Sequence, residues 1–249
     1  MNERKRNVAV DGNDEVLFAS RRAAGAALAA RLHALHEPNR VVVGIANGGL
    51  EVGAEVAKIL GQPLDALVVQ SLFLDDATGS KPLGAVAEGE AARIDRDAVG
   101  RADLAELGRR AAVAARVGRK RAATIRRGRP LDVARCAVTL VSDVVTDGLV
   151  ELAALELLRR FGAERIVLAT PIAAAPTLVR LAAEFDAVVS VVRSPTPFGA
   201  HGWFSHARVL SDEEASGLGR SSPPWRMMFI PPNEGGVHKS HALARREQR

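Results

Sequence analysis

Tyrosine is absent from this chain of 249 residues, and Phe and Trp bring the aromatics to only 4%. Its core must therefore be built mostly of Ala, Val and Leu. With no aromatics interleaved among its basic residues it has no stacking platform for bases, so a dedicated nucleic-acid module is not expected. A single cysteine, Cys136, excludes an internal disulfide framework. Its place at the head of an apolar run makes it core filler rather than a nucleophile. No His/Cys cluster has zinc spacing, and no G-x-S-x-G elbow is present for hydrolase chemistry. No apolar run reaches the length of a membrane span, and MNERKRNVAV at the start lacks the apolar core of a signal peptide. A soluble cytoplasmic protein without a membrane partner is expected.

What is present is ordinary for a globular α/β chain: 47% apolar residues and enough length for one large domain or two small ones. The net charge of +5 is concentrated in two places. Arg116 to Arg129 carries seven basic residues and no acidic one, and the tail from His238 onward is also basic. The first run is either a solvated helix face or a surface for phosphorylated ligands, and the tail is a frayed end.

Apolar spacing predicts a helix over Ser20–His36 with Ser20 as its cap, a buried strand over Arg40–Ile45, a glycine turn, and a helix over Val52–Leu60. Asp65–Gln70 reads as a strand, Asp75–Lys81 as a polar loop, Gly84–Ala87 as a short apolar piece, and Ala102–Arg127 as a basic helix. Ala137–Val141 is a strand and Leu149 onward a helix. Arg165–Thr170 and Ala187–Val192 are further strands around a helix over Thr177–Glu184. Residues up to about Asp14, and everything after Pro195, read as irregular. Strands alternating with helices imply a mainly parallel sheet with helices on both faces. The domain is expected over 15–218, with 1–14 and 219–249 as flexible termini.

The stretch around which the chain is organised is Ala137 to Leu158. A buried strand runs into the turn Ser142 to Gly148 and then into a helix whose first N–H groups are unpaired, an arrangement suited to an anion. Ile45 to Ala57 (IANGGLEVGAEVA), Val68 to Leu72 (VVQSL), Gly84 to Glu90 (GAVAEGE), Val141 to Val150 (VSDVVTDGLV) and Pro195 to Leu218 stand in the order and spacing of a known pattern. On these residues the chain resembles the type I phosphoribosyltransferase family. It is most like a bacterial branch that runs strand–PRGG–helix, strand–RKL, GAVAEGG, DDGIATGAT. The resemblance implies a Rossmann-like core with a small hood and an irregular C-terminal region. It also implies binding of phosphoribosyl pyrophosphate with Mg²⁺ and displacement of pyrophosphate by a small nucleobase-like nucleophile. A homodimer is compatible with it.

Carried over residue by residue, the donor would meet Asn47, Gly48 and Gly49 at its pyrophosphate end. Ser142, Asp143, Val144, Val145, Thr146, Asp147, Gly148 and Leu149 would meet it at the ribose and 5′-phosphate. Asp143 would be the catalytic acid and the one Mg²⁺-holding group. Several positions depart from the family pattern. Ser142 replaces the first acid, Val144 a glycine, Asp147 the central Thr and Val150 the last one; the early Arg is missing, and Gln70-Ser71 stand where two cations belong. A carboxylate at 147 would repel a bound phosphate by roughly 1–4 kcal/mol, and each lost hydroxyl would remove about 0.5–3 kcal/mol. Asp147 also reads as a helix cap, an anion supplied by the chain itself.

Two functions remain open. One is transfer of a (phospho)ribosyl group from an activated pentose to a small nucleophile. The other is a non-catalytic protein with a regulatory, ligand-binding or subunit role. Arg119, Lys120 and Arg121 are candidates to replace the lost cations. Trp203-Phe204, between His201 and His206, either pack as a loop or line a base pocket, and His33 and His36 read as surface residues.

Overall fold

The computed structural model describes residues 8–9, 18–35, 39–46, 48–76, 79–95, 104–195, 202–206 and 208–219. Strand β1 (Val8–Ala9) precedes helix α1 (Arg21–Leu32), whose N-cap Ser20 accepts the Ala23 N–H at 3.1 Å. A 3-10 turn at His33–Leu35 follows, and then β2 (Arg40–Ile45) and α2 (Gly48–Leu60). β3 (Leu64–Leu67), β4 (Val69–Asp76), β5 (Gly79–Ala87) and β6 (Ala91–Ile94) lead to the long α3 (Leu104–Arg126). β7 (Ala137–Val141), β8 (Val144–Val145), α4 (Leu149–Arg160), β9 (Arg165–Ala174), α5 (Ala175–Glu184), β10 (Ala187–Ser194) and α6 (Asp212–Gly219) complete the order.

A parallel sheet in the order β1-β10-β9-β7-β2-β3 forms the centre, with β8 paired to β9. Its strands are buried on both faces, as their unbroken apolar runs require. Val41, Val43 and Ile45 of β2 point to the side packed by α4, α5 and the inner face of the hood. Val42 points to the side packed by α1, α2, the end of α3 and α6. The hood is the antiparallel β4-β5-β6 sheet, and α3 covers Leu72, Leu83 and Val86 on its outer face.

β2 and β7 have the limits that the sequence predicts. Other boundaries differ for physical reasons. The expected strand over Asp65–Gln70 is cut at Val68, because Glu88 takes both of that residue's backbone groups. The Val68 N–H donates to Glu88 Oε1 at 3.1 Å, and the Val68 carbonyl accepts the Glu88 N–H at 3.0 Å. β3 therefore ends in the central sheet and β4 starts the hood. The polar loop at Asp75–Lys81 is instead the distal part of a hairpin, β4 running to Asp76 and β5 starting at Gly79. β9 passes through Pro171 to Ala174; the ladder with β10 skips that position, so no proline N–H is needed. Val8–Ala9, expected to be loose, pairs with Val188 and Val189 at the sheet edge. The region after Pro195 is not wholly irregular, because Ser211 Oγ accepts the Glu214 N–H at 3.1 Å and Glu214 Oε2 accepts the Ser211 N–H at 2.9 Å. This reciprocal capping box starts α6. The expected tail beyond 219 lies outside the described residues.

Candidate functional site

β2 and β7 are neighbours, so the turns at their carboxyl ends meet, and ligands of open α/β sheets bind outside such ends. α2 starts at Gly48, four residues before the expected Val52, which makes the two glycines its first turn. A Cβ on Gly49 would stand 2.4 Å from the Val141 carbonyl oxygen, and one on Gly48 would stand 1.7 Å from Asp143 Oδ2. Only glycine permits that approach. It places the Asp143 carboxylate against the start of α2, where an external anion could otherwise lie. Asn47 lies outside the described residues.

Asp143 is held by Arg21, whose Nε donates to Oδ2 at 3.0 Å. The guanidinium is itself fixed: it donates to the Arg208 carbonyl at 2.7 Å, stands 3.7 Å from Glu51 and lies 5.4 Å from the centre of the Phe204 ring. The Asp143 side chain keeps 19% of its surface exposed, whereas that of Arg21 keeps 5%. The cation thus supports the carboxylate from behind.

The second turn is closed in the same way. Gly148 adopts φ 81°, and Asp147 Oδ1 accepts the Leu149 N–H at 2.8 Å, so the first amide of α4 is occupied by the chain's own carboxylate. The Thr146 carbonyl accepts the Thr177 hydroxyl at 2.6 Å, and the Asp147 carbonyl accepts Arg180 at 2.5 Å, tying the turn to α5. Val145 is fully buried beneath it.

One residue that the sequence reading passed over completes the site. Glu151, in the first turn of α4, is buried at 3% exposure, and Ser142 Oγ donates to its Oε1 at 2.7 Å. Glu151 thus brings a carboxyl from the helix against position 142. Burial raises the Glu151 carboxyl to about 7, with Asp147 and Asp143 adding to the rise; the Ser142 hydroxyl and its own backbone amide oppose it. A Glu on an otherwise apolar helix face was the available signal.

These groups line a cleft of about 470 Å³ between the turns and the hood. Its lining takes in Gly49, Ser142, Asp143, Val144, Thr146, Asp147, Leu149, Val150 and Glu151 on the core side, and Val69, Ser71, Phe73, Pro82 and Gly84 on the hood side. Phe73 is the aromatic at its edge. Trp203 and Phe204 are not: they are buried with Phe18, Phe204 and Phe18 stacking at 6.1 Å, so the packing reading holds for them. His201 lies outside the described residues. A second cleft of about 750 Å³, which shares Asp147 and Leu149, lies beyond the turn and carries Arg93, Asp95, Glu156 and Arg180.

Two of the basic residues expected to replace lost cations are engaged elsewhere. Arg119 donates to the Gly89 carbonyl at 3.4 Å, and Arg121 pairs with Asp212 of α6 at 2.9 Å. None of the basic run lines the cleft. Among the described residues no group of three or more His, Cys, Asp or Glu side chains is gathered as a metal site. With a guanidinium already on Asp143, the donor set in place does not fit a resident Mg²⁺. No helix among the described residues is long and apolar enough to cross a membrane.

The phosphoribosyl transferase domain family matches residues 17–200 of the chain. Proteins of two Mycobacterium tuberculosis strains, provisionally named phosphoribosyl transferases, are 35% identical over 221 residues, covering 80% of this chain and 45% of theirs. The chain thus spans about half the length of these relatives. The crystal structure of TT1426 from Thermus thermophilus superposes with a TM-score of 0.67 at 32% identity, covering 83% of this chain and 99% of that one. The chain belongs to the phosphoribosyl transferase family.

Proposed function

We propose that this member of the phosphoribosyl transferase family binds a pentose activated at C1 and unphosphorylated at C5, and transfers the pentosyl group to a small nucleophile. The observation that carries the reading is the Asp147 carboxylate on the Leu149 amide at 2.8 Å. In the family pattern that helix start wraps the 5′-phosphate. Here a phosphate would have to displace a bonded carboxylate and then lie beside its charge, a repulsion of roughly 1–4 kcal/mol. A C5 hydroxyl carries no such penalty and can donate to the free carboxylate lone pairs.

The rest of the site supports transfer rather than simple retention of the fold. Asp143 stays partly open to the cleft with Arg21 behind it, placed to accept a pentose hydroxyl. In this reading the Asp143 and Asp147 carboxylates of the cleft lining face the positive charge that builds at C1 in an oxocarbenium-like transition state, and such preorganised charge accelerates the step. Phe73 and Pro82 offer apolar surface to an acceptor ring.

The test is calorimetric titration of the full chain with nucleosides and their 5′-phosphates, with ribose 5-phosphate, and with phosphoribosyl pyrophosphate in the presence and absence of Mg²⁺. Binding of a nucleoside at least about tenfold tighter than that of its 5′-phosphate is expected. Micromolar binding of phosphoribosyl pyrophosphate would overturn the reading. Binding of none of them would favour the non-catalytic alternative.

A further inference from the structure

The charge of the cleft is the reverse of what a polyphosphate requires. Its described lining includes three carboxyl groups, Asp143, Asp147 and Glu151, and no lysine, arginine or histidine. The three are not equivalent. Asp143 accepts from a guanidinium and Asp147 from an amide, groups that can only donate. The partner of Glu151 is a hydroxyl, which can donate or accept. With Glu151 ionised, Ser142 donates to it at 2.7 Å. With Glu151 protonated, its carboxyl donates to Ser142 Oγ, and the serine hydrogen turns to the Val144 carbonyl 3.5 Å away. Both protonation states are therefore accommodated without moving the backbone.

We propose that Glu151 is the acid–base residue of the cleft, and that the donor it serves is an N-linked pentoside, a neutral pentose carrying a nitrogen heterocycle at C1. This rests on the pentosyl transfer proposed above and names its donor. A phosphate or pyrophosphate leaves as a stable anion without a proton. A nitrogen heterocycle needs one, and only a leaving group of that kind gives a buried neutral carboxyl something to do. In the step, the C1–N bond breaks and its electron pair stays with the heterocycle, which takes the proton from Glu151. The pentosyl cation faces Asp143 and Asp147. The nitrogen of a second heterocycle then attacks C1, and its proton returns to Glu151. One glycosidic bond is broken and one is made, with no change of oxidation state.

The surroundings support this role. Burial and the two aspartates push Glu151 up to about 7, where a carboxyl can both give and take a proton near neutrality. Among the described residues of the hood strands β4 and β5, none that lines the cleft is ionisable. Arg93 of β6, Asp95 just after it, Arg180 of α5 and Glu156 of α4 lie in the neighbouring cleft. On the opposite side Arg21, itself paired with Glu51, meets Asp143 rather than Glu151.

Base exchange tests the proposal. The full chain is incubated with inosine and labelled hypoxanthine, with adenosine and labelled adenine, and with the corresponding 5′-phosphates, across about pH 5 to 9. Exchange from a nucleoside is expected, with kcat falling as pH rises through about 7. Glu151→Gln is expected to lower kcat by about 100-fold or more while KM changes little; Glu151→Asp should recover part of the rate. Exchange that survives Glu151→Gln with the same pH profile would overturn the role of Glu151 and leave pentosyl transfer standing. Exchange confined to the 5′-phosphates would overturn both readings. No exchange, with nucleoside binding intact by calorimetry, would overturn this inference alone.

Discussion

Two arginine–carboxylate pairs, the buried Arg126–Glu88 and the half-open Arg21–Asp143, separate the part of this molecule that builds the fold from the part proposed to meet a ligand. Arg126 grips Glu88 with two parallel bonds of 2.5 and 2.6 Å and donates to the Ala66 and Arg129 carbonyls as well. Glu88 spends its remaining capacity on the Val68 amide, and its backbone sits at φ 48°, a left-handed strain that these contacts hold in place. Both side chains are 7% exposed. The pair is a joint at which the chain leaves the central sheet for the hood. Arg21–Asp143 is made through a single 3.0 Å contact, and its carboxylate stays open to the cleft. The joint lies in GAVAEGE, where the chain follows the family pattern closely; the open pair lies in VSDVVTDGLV, where it departs from it. In this chain the scaffold motif was kept, while the ligand motif was rebuilt around the chain's own carboxylates.

The comparison breaks first at the joint. Glu88→Ala strands a buried guanidinium and is expected to cost about 3–5 kcal/mol, a large part of the stability of an ordinary domain. Urea unfolding reads it, and a loss below that of Arg21→Ala would reverse the contrast. Next is the pH response of Glu151. Its carboxyl is raised from 4.5 to about 7 in the folded protein, so the folded state holds a proton that the unfolded state gives up. Its contribution is fully present below about 4.5, falls as pH rises to about 7, and amounts to roughly 3 kcal/mol. Glu151→Gln should therefore flatten this part of the stability profile and make the protein relatively more stable at about pH 8. The smallest effect is expected from Arg21→Ala. Asp143 can turn toward water, so the cost should be about 1–2 kcal/mol in the same unfolding assay.

Much of the fold was legible because it depends on local pattern. Arg40–Ile45 and Ala137–Val141 are short runs dominated by β-branched residues and buried in the central sheet, and Ser20 is a cap that bonds three residues ahead. Asp147, expected as the cap, instead stands one residue before the N-cap Gly148, and its Oδ1 accepts the Leu149 N–H two residues ahead. What escaped depends on contacts distant in the chain. The break at Val68 is made by Glu88, 20 residues on, and Arg21 meets Asp143 across 122 positions. No spacing rule reports either. Glu151 was hidden differently, since a lone acid in the first turn of an apolar helix suits the helix dipole equally well without lining any site. The capping box at Ser211–Glu214 was a local signal that went unread. The contact that Ser142 makes bears on any variant at that position. Restoring an acid there would set it against Glu151, whose Oε1 lies 2.7 Å from Ser142 Oγ, so Asp147 alone is the position at which to reopen the phosphate site.

The central claim is that Asp147 occupies the place of a 5′-phosphate. The most direct measurement is titration of the wild-type chain and of Asp147→Thr with ribose 5-phosphate, by calorimetry at low salt. The account predicts no binding to the wild type below millimolar concentrations and a gain of at least about tenfold in the variant, which exchanges a repelling charge for a hydroxyl donor. Micromolar binding to the wild type, unchanged or weakened in Asp147→Thr, would contradict it.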